Sequence, residues 1–322
     1  MGVMTIRNFD QLIKAVGHSS GKKKVVAVVA AEDEHTLQAV FHAVADGLVD
    51  PILIGNAPKI TEILRKLNVS VNADAVIHAD DDKSAAAKAV ELVNQGKADF
   101  IMKGKLQTGD LLSAVVDKQK GLKTGKIMSH LVFNEVPSYH KLLATTDGGM
   151  MMYPNLVQKK EIIENAVSVL CAMGYDRPKV AVLAAVEKVN PSMPESVDAA
   201  ALKEMNLKGE IANCIVEGPV SYDCAVSKES AEAKGFVSPV AGDADILIAP
   251  NIAAGNILGK CLLFSAGAKM AGFIVGAKVP VVLTSRGATS EEKYLSLVLS
   301  AAFVSGSKGQ DSALKSVGTA AS

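Results

Sequence analysis

Between residues 283 and 292 the chain gathers the side chains best suited to chemistry. Ser285 offers a hydroxyl, Arg286 a planar donor fork that matches a phosphate, and Glu291 and Glu292 two carboxylates. An apolar stretch over 281–284 feeds this loop, Gly287 turns it, and a helix from about Ser290 leaves it. The first turn of that helix presents free backbone N–H groups, a ready place for an anion. Hydroxyl, cation and base so close together suit the transfer of an anionic group. Thr289 and Glu292 also stand at the spacing of a capping box, which needs no catalysis at all. On spacing alone both readings stand.

Two further loops are candidates. Thr145, Thr146, Asp147 and Gly148 close an extended segment with small polar residues, and Gly148 and Gly149 let a ligand approach the backbone. An ordinary turn has the same composition. Asp243, in the loop before an apolar run at 245–249, is either a substrate contact or a loop-bonding carboxylate. His130 and His140 flank a hairpin, and a histidine base there would need a partner that sequence does not show. Gly255, Gly259, Gly267 and Gly272 stud the segment 252–276, which suggests close packing against another helix, across a subunit interface included. The acidic run Glu32, Asp33 and Glu34 complements the start of a helix.

Several classes are disfavoured. The run from Gly121 to Lys126 imitates a phosphate-binding P-loop but is one residue short, and Ile127 stands where magnesium needs a hydroxyl. No GxGxxG follows a strand, which argues against a conventional NAD site. Lys plus Arg equals Asp plus Glu at 34 each in 322 residues, so no basic field exists for nucleic acid. Cys171, Cys214, Cys224 and Cys261 form no CxxC pair, and no metal site is expected. They read as small buried hydrophobes of a reducing compartment. With no apolar run of ~20 residues, the expectation is a cytoplasmic protein without membrane contact.

These loops need a frame. Apolar runs alternate with helix-period segments almost throughout: strands near 24–30, 51–55, 75–79 and 99–103, each followed by a helix. Strands this apolar, separated by helices, imply parallel sheets covered on both faces. The rhythm breaks over 131–146, where two extended segments flank Pro137 and Ser138 as a hairpin, and then resumes. Two α/β lobes follow. Their ligands belong beyond the carboxyl ends of the strands. The Gly-, Ser- and Ala-rich tail from Ser305 is expected to be loosely held.

Four long stretches carry a resemblance: 145–156 (TTDGGMMMYPNL), 218–231 (GPVSYDCAVSKESA), 238–256 (SPVAGDADILIAPNIAAGN) and 265–287 (SAGAKMAGFIVGAKVPVVLTSRG). In this order they resemble the phosphate acetyltransferase/phosphate butyryltransferase family, over roughly residues 24–306. The segments 184–200 and 128–141 lean toward the butyryl branch.

The resemblance implies two three-layer α/β/α domains around a cleft, as in isopropylmalate dehydrogenase, and a homo-oligomer, a dimer or a multiple of it. It places one domain at residues 1–147 plus 288–322, completed by the last helix, and the other at 148–287. It implies a reversible transfer of a short acyl group, butanoyl, between coenzyme A and inorganic phosphate in a ternary complex, with acyl-CoA as substrate and no cofactor. The thiolate attacks the acyl carbon directly. Ser285 would hydrogen-bond the reacting carbonyl or sulfur, Arg286 would stabilise phosphoryl charge, and Glu292 or Glu291 would take the thiol proton. Thr145, Thr146, Asp147, Gly148, Asp243 and Gly287 would bind substrate. The first-domain arginine of acetyl-transferring relatives has no counterpart, leaving Lys103 or Lys105 as point charges. Acetyl transfer is the alternative within the class; an isopropylmalate-type dehydrogenase and a non-catalytic CoA-binding subunit lie outside it.

Overall fold

The structure is a computed structural model that describes residues 6–17, 23–285 and 287–318, with side chains to residue 307. In chain order the elements open with α1 (Phe9–Gly17), β1 (Lys24–Val29), α2 (Glu34–Ala45), β2 (Val49–Gly55) and α3 (Ala57–Lys66). They continue with β3 (Val76–His78), α4 (Asp82–Asn94), β4 (Phe100–Lys103) and α5 (Thr108–Val115). A second group follows: β5 (Ser129–Glu135), β6 (Leu143–Thr146), α6 (Leu156–Ala172), β7 (Lys179–Leu183), α7 (Pro194–Leu207) and β8 (Ile215–Val220). It ends with α8 (Tyr222–Val226), α9 (Lys228–Ala233), β9 (Ile246–Ile248) and α10 (Ile252–Phe264). The chain then returns through β10 (Lys269–Val275), β11 (Val281–Val282) and α11 (Ser290–Gly318).

Two compact units result, one of residues 10–126 and 271–322, the other of 1–9 and 127–270. In the first, the strand order is β3-β2-β1-β4-β11-β10. All neighbours are parallel except the β10–β11 hairpin. Val26 to Val29 are fully buried, as are Phe100, Ile101 and Met102. Strands covered on both faces read as unbroken apolar runs for this reason. The α11 helix packs on α2. Buried Lys293 donates to Asp33 Oδ2 at 2.8 Å and to Thr36 Oγ1 at 3.0 Å, while Tyr294 donates to Asp46 at 2.5 Å. Asp33 also caps α2 by accepting from Thr36 N–H. The Lys293 ammonium and the Thr36 donors hold its carboxyl below the usual range, against the opposing effect of burial. The acidic run at 32–34 is thus more than dipole complement: one of its members is an interior ion pair.

In the second unit the order is β5-β6-β9-β7-β8. The β5–β6 pair is the hairpin read from sequence, and β6, β9, β7 and β8 run parallel. Because β6 pairs along β9, the hairpin belongs to this unit, and the division falls at 126/127 rather than at 147/148. Likewise β11 pairs along β4, which draws 271–287 into the first unit.

The tail from Ser305 continues as α11 to Gly318. Two short helices follow β8, because Ser227 caps the second by accepting from Ser230 N–H. Gly255 meets a loop rather than a helix: a Cβ there would lie 2.4 Å from the Asp147 carbonyl oxygen.

Candidate functional site

In the first unit, strand β11 delivers the loop that opens α11. Ser285 is exposed, and its hydroxyl accepts from Gly287 N–H at 3.4 Å. Its carbonyl accepts from Ala288 N–H at 3.1 Å. Arg286 lies outside the described residues. Beyond the turn, Thr289 Oγ1 accepts from Glu292 N–H at 3.1 Å, and the Glu292 carboxylate accepts from Thr289 N–H at 2.7 Å. The capping box is therefore formed, and it occupies Glu292. Glu291 is exposed on the same first turn.

The same unit gathers charge at the carboxyl ends of its parallel strands. Lys103, the last residue of β4, is buried, whereas Lys105 is exposed. Burial and the neighbouring Glu32, Asp110 and Asp81 carboxylates raise the Asp82 carboxyl above its usual range, and Lys103 opposes them.

In the second unit, β6 delivers the Thr145–Gly148 loop. Thr145 points to the Asn134 side of the hairpin and accepts from Asn134 Nδ2 at 3.2 Å. Thr146 is buried, and its hydroxyl has no hydrogen-bond partner among the described residues. Asp147 is buried, and its carboxylate accepts from four backbone N–H groups: Gly149 at 2.7 Å, Met150 at 2.8 Å, His130 at 3.0 Å and Met151 at 3.2 Å. This aspartate builds the loop. Its glycines are steric requirements: a Cβ on Gly148 would sit 2.8 Å from the Gly255 carbonyl carbon, and one on Gly149 would sit 2.7 Å from His130 Nδ1. Asn256, on α10, donates to the Gly148 carbonyl at 3.1 Å. Burial keeps the His130 imidazole below its usual pKa, with the Asp147 charge opposing.

Replacing Asp147 by Ala should cost stability before it costs chemistry. Leaving buried N–H donors without an acceptor costs about 1–3 kcal/mol each where no water replaces it. The expected loss is about 3 kcal/mol or more, a fall in Tm of roughly 6–12 °C, readable by thermal denaturation. A fall below about 1 °C would mean that the carboxylate serves a ligand instead.

Asp243 does not join this loop. It precedes β9, and Asp147 follows β6; because the two strands are parallel, the residues stand at opposite edges of the sheet. Its carboxylate pairs with Lys141 at 2.8 Å, with His140 at 2.9 Å and with Lys179. Those partners hold it well below the usual carboxylate range, although burial opposes them. Asp243 thus sits in an ion cluster at the edge opposite the Thr145–Gly148 loop. The strand order already contained this signal.

Asn134, His130 and Asn256 were not singled out as loop builders, because their partners lie 9 to 108 residues away. Among the described residues, one group could offer a metal three ligands: Glu187, Asp223 and Cys224. Lys234 Nζ already binds both carboxylates, Glu187 at 2.9 Å and Asp223 at 2.9 Å, and Ser221 bridges them. An ammonium thus does there what a cation would do. Of the cysteines, Cys214 and Cys224 are buried, Cys171 is half-buried and Cys261 is exposed on α10, so the buried reading holds for two. No helix among the described residues is long and apolar enough to cross a membrane.

Comparison with known proteins supplies the rest. A family model described as phosphate acetyl/butaryl transferase matches residues 79–301. A phosphate acetyltransferase of Thermotoga maritima is 46% identical over 91% of this chain and 99% of its own length. A phosphate butyryltransferase of Clostridium acetobutylicum is 43% identical over 94% of this chain and 100% of its own. The crystal structure of a branched-chain phosphotransacylase from Enterococcus faecalis superposes with a TM-score of 0.76 at 34% identity, covering 87% of this chain and 99% of that one. The chain belongs to the phosphate acetyl/butyryl transferase family.

Proposed function

We propose that this phosphate acyltransferase moves a butanoyl group reversibly between coenzyme A and inorganic phosphate, by direct attack of the CoA thiolate on the acyl carbon. The observation that carries the reading is the loop from Ser285 into α11, where an exposed hydroxyl precedes a helix start whose first turn carries Glu291 and Glu292, with Glu292 held in the capping box. Ser285 hydrogen-bonds the reacting group, Arg286 stabilises the phosphoryl oxygens, and Glu291 takes the thiol proton. Thiolysis of an acyl phosphate is undemanding chemistry, so positioning two anionic substrates and deprotonating one thiol is enough, without metal or redox cofactor.

Relatives bearing the acetyl and butyryl names lie within a few per cent of one another in identity, so acyl length rests on the sequence of 128–141 and 184–200. One further methylene in an apolar pocket contributes only about 1–3 kcal/mol. A panel of acetyl-, propionyl-, butanoyl- and branched acyl-CoA, assayed with phosphate for released thiol, should give its highest kcat/KM on butanoyl-CoA. A maximum on acetyl-CoA would move the chain to the other branch, and no phosphate-dependent turnover would remove the reaction class.

The reading includes a cytoplasmic homo-oligomer. Ile257 and Phe264 on α10 are 61% and 78% exposed, and neighbouring Met152 and Tyr153 are 67% and 80% exposed. Met152 lies beside α10 because its carbonyl accepts from Ile252 N–H. Large apolar side chains so placed favour burial against a second copy.

A further inference from the structure

The first turn of α11 carries both glutamates, and contacts with α2 in the same unit fix that turn. Buried Lys293 reaches Asp33 Oδ2 at 2.8 Å and Thr36 Oγ1 at 3.0 Å. Ser290 donates to Gln38 Oε1 at 3.1 Å, and its hydroxyl lies 3.4 Å from His35 Nδ1. At 3.6 residues per turn, Ser290 and Lys293 stand about 60° apart around the helix, and Glu291 about 130° from the line midway between them. The α2 contacts therefore grip one side of the turn, and exposed Glu291 leaves from the other.

The body of α11 has its own anchors beyond that grip. One residue further on, the Tyr294 ring stacks on His42 at 4.1 Å and its hydroxyl donates to Asp46 at 2.5 Å. Ser296 Oγ accepts from Gly272 N–H at 3.1 Å, and Leu295, Leu297, Val298 and Leu299 are buried. Docking is thus supplied by groups that follow Lys293. Taking an ammonium out of water costs free energy that a partner carboxylate largely offsets, so stability alone gives a weak reason for a cation at 293. What its two bonds add is direction, since a hydrogen bond constrains angle as well as distance.

We propose that Lys293 is a positioning residue for acyl transfer: through Asp33 and Thr36 it seats the first turn of α11 and so sets the place from which Glu291 takes the thiol proton. This role presupposes Glu291 as the base. A misplacement of ~1 Å at a reacting group can cost about a hundredfold in rate. Loss of a contact remote from the thiol therefore shows in kcat rather than in binding.

The test is a cycle of variants assayed on butanoyl phosphate and CoA, at a temperature where circular dichroism shows each to be folded. Lys293→Met should lower kcat by about tenfold or more, with KM for CoA within about twofold of the parent. In the Glu291→Gln background the same change should lower kcat by less than about twofold, because a turn without a base has nothing left to aim. A purely structural loss would multiply instead. Asp33→Ser keeps a side-chain cap for α2 but is too short to meet the ammonium. The same pattern is expected of it, and it serves where Lys293→Met does not fold. Full rate in a folded single variant, or losses that multiply in the double variant, would overturn the proposal while a severe Glu291→Gln defect left the base in place. A mild Glu291→Gln defect would remove the base and the proposal with it.

Discussion

Arg286→Ala should lower kcat for phosphate-dependent acyl transfer by at least about a hundredfold while Tm stays near that of the parent. Removing one donor aimed at developing charge costs about 10²–10³ in kcat, or ~2.7–4 kcal/mol. The position suits that role. Its sequence neighbours precede the amino end of α11, where Gly287 N–H donates to the Ser285 hydroxyl and Ala288 N–H to the Ser285 carbonyl. Ser285 and Gly287 on either side are exposed. Arg286→Lys sharpens the test: it keeps the charge and loses the fork, and should recover only part of the rate. Turnover within a few-fold of the parent in Arg286→Ala would refute the assigned role.

The frame was legible because burial on both faces writes itself into the sequence. Stretches such as 24–29 and 100–103 are apolar without alternation, and the structure makes them interior parallel strands. The hairpin at 129–146 was legible for the opposite reason, since no helix-period segment separates its strands. What stayed hidden depends on partners remote in the chain. Whether Lys293 is a surface cation or an interior ion pair is decided by Asp33, 260 residues away. The unit division depends on whether β6 pairs along β9, and no local pattern states that.

The candidate site divides along the same line. The strand–loop–helix course of 281–292 follows from local patterning, and so does the capping box, which four residues determine. Asp147 is different. It looks like a polar residue in a ligand loop, yet it folds back on four amides, one of them on another strand. Sequence order alone was enough to separate Asp243 from Asp147 once their strands were taken as parallel. Residues before a strand and residues after its parallel neighbour cannot share an edge.

The two adjacent glutamates give the sharper outcome. Glu291→Gln should reduce kcat by about a hundredfold or more, the usual contribution of a positioned general base, because glutamine cannot take a thiol proton. Glu292→Gln should change kcat by no more than a few-fold. Glutamine fills the last position of a capping box as glutamate does, accepting from the Thr289 N–H that now lies 2.7 Å from the carboxylate. Glu292→Ala supplies the contrast, since it breaks the cap and should cost about 1 kcal/mol of stability with a small change in rate. The pH dependence separates the roles. With a base removed, kcat for the thiolysis direction should rise with pH toward the pKa of a free thiol, about 8.5, as solution thiolate replaces the lost proton acceptor. In Glu292→Gln the profile should match the parent. A severe loss in Glu292→Gln with a mild one in Glu291→Gln would hand the base to the capped carboxylate. Equal mild losses would mean that the thiol proton leaves by a route outside this helix turn.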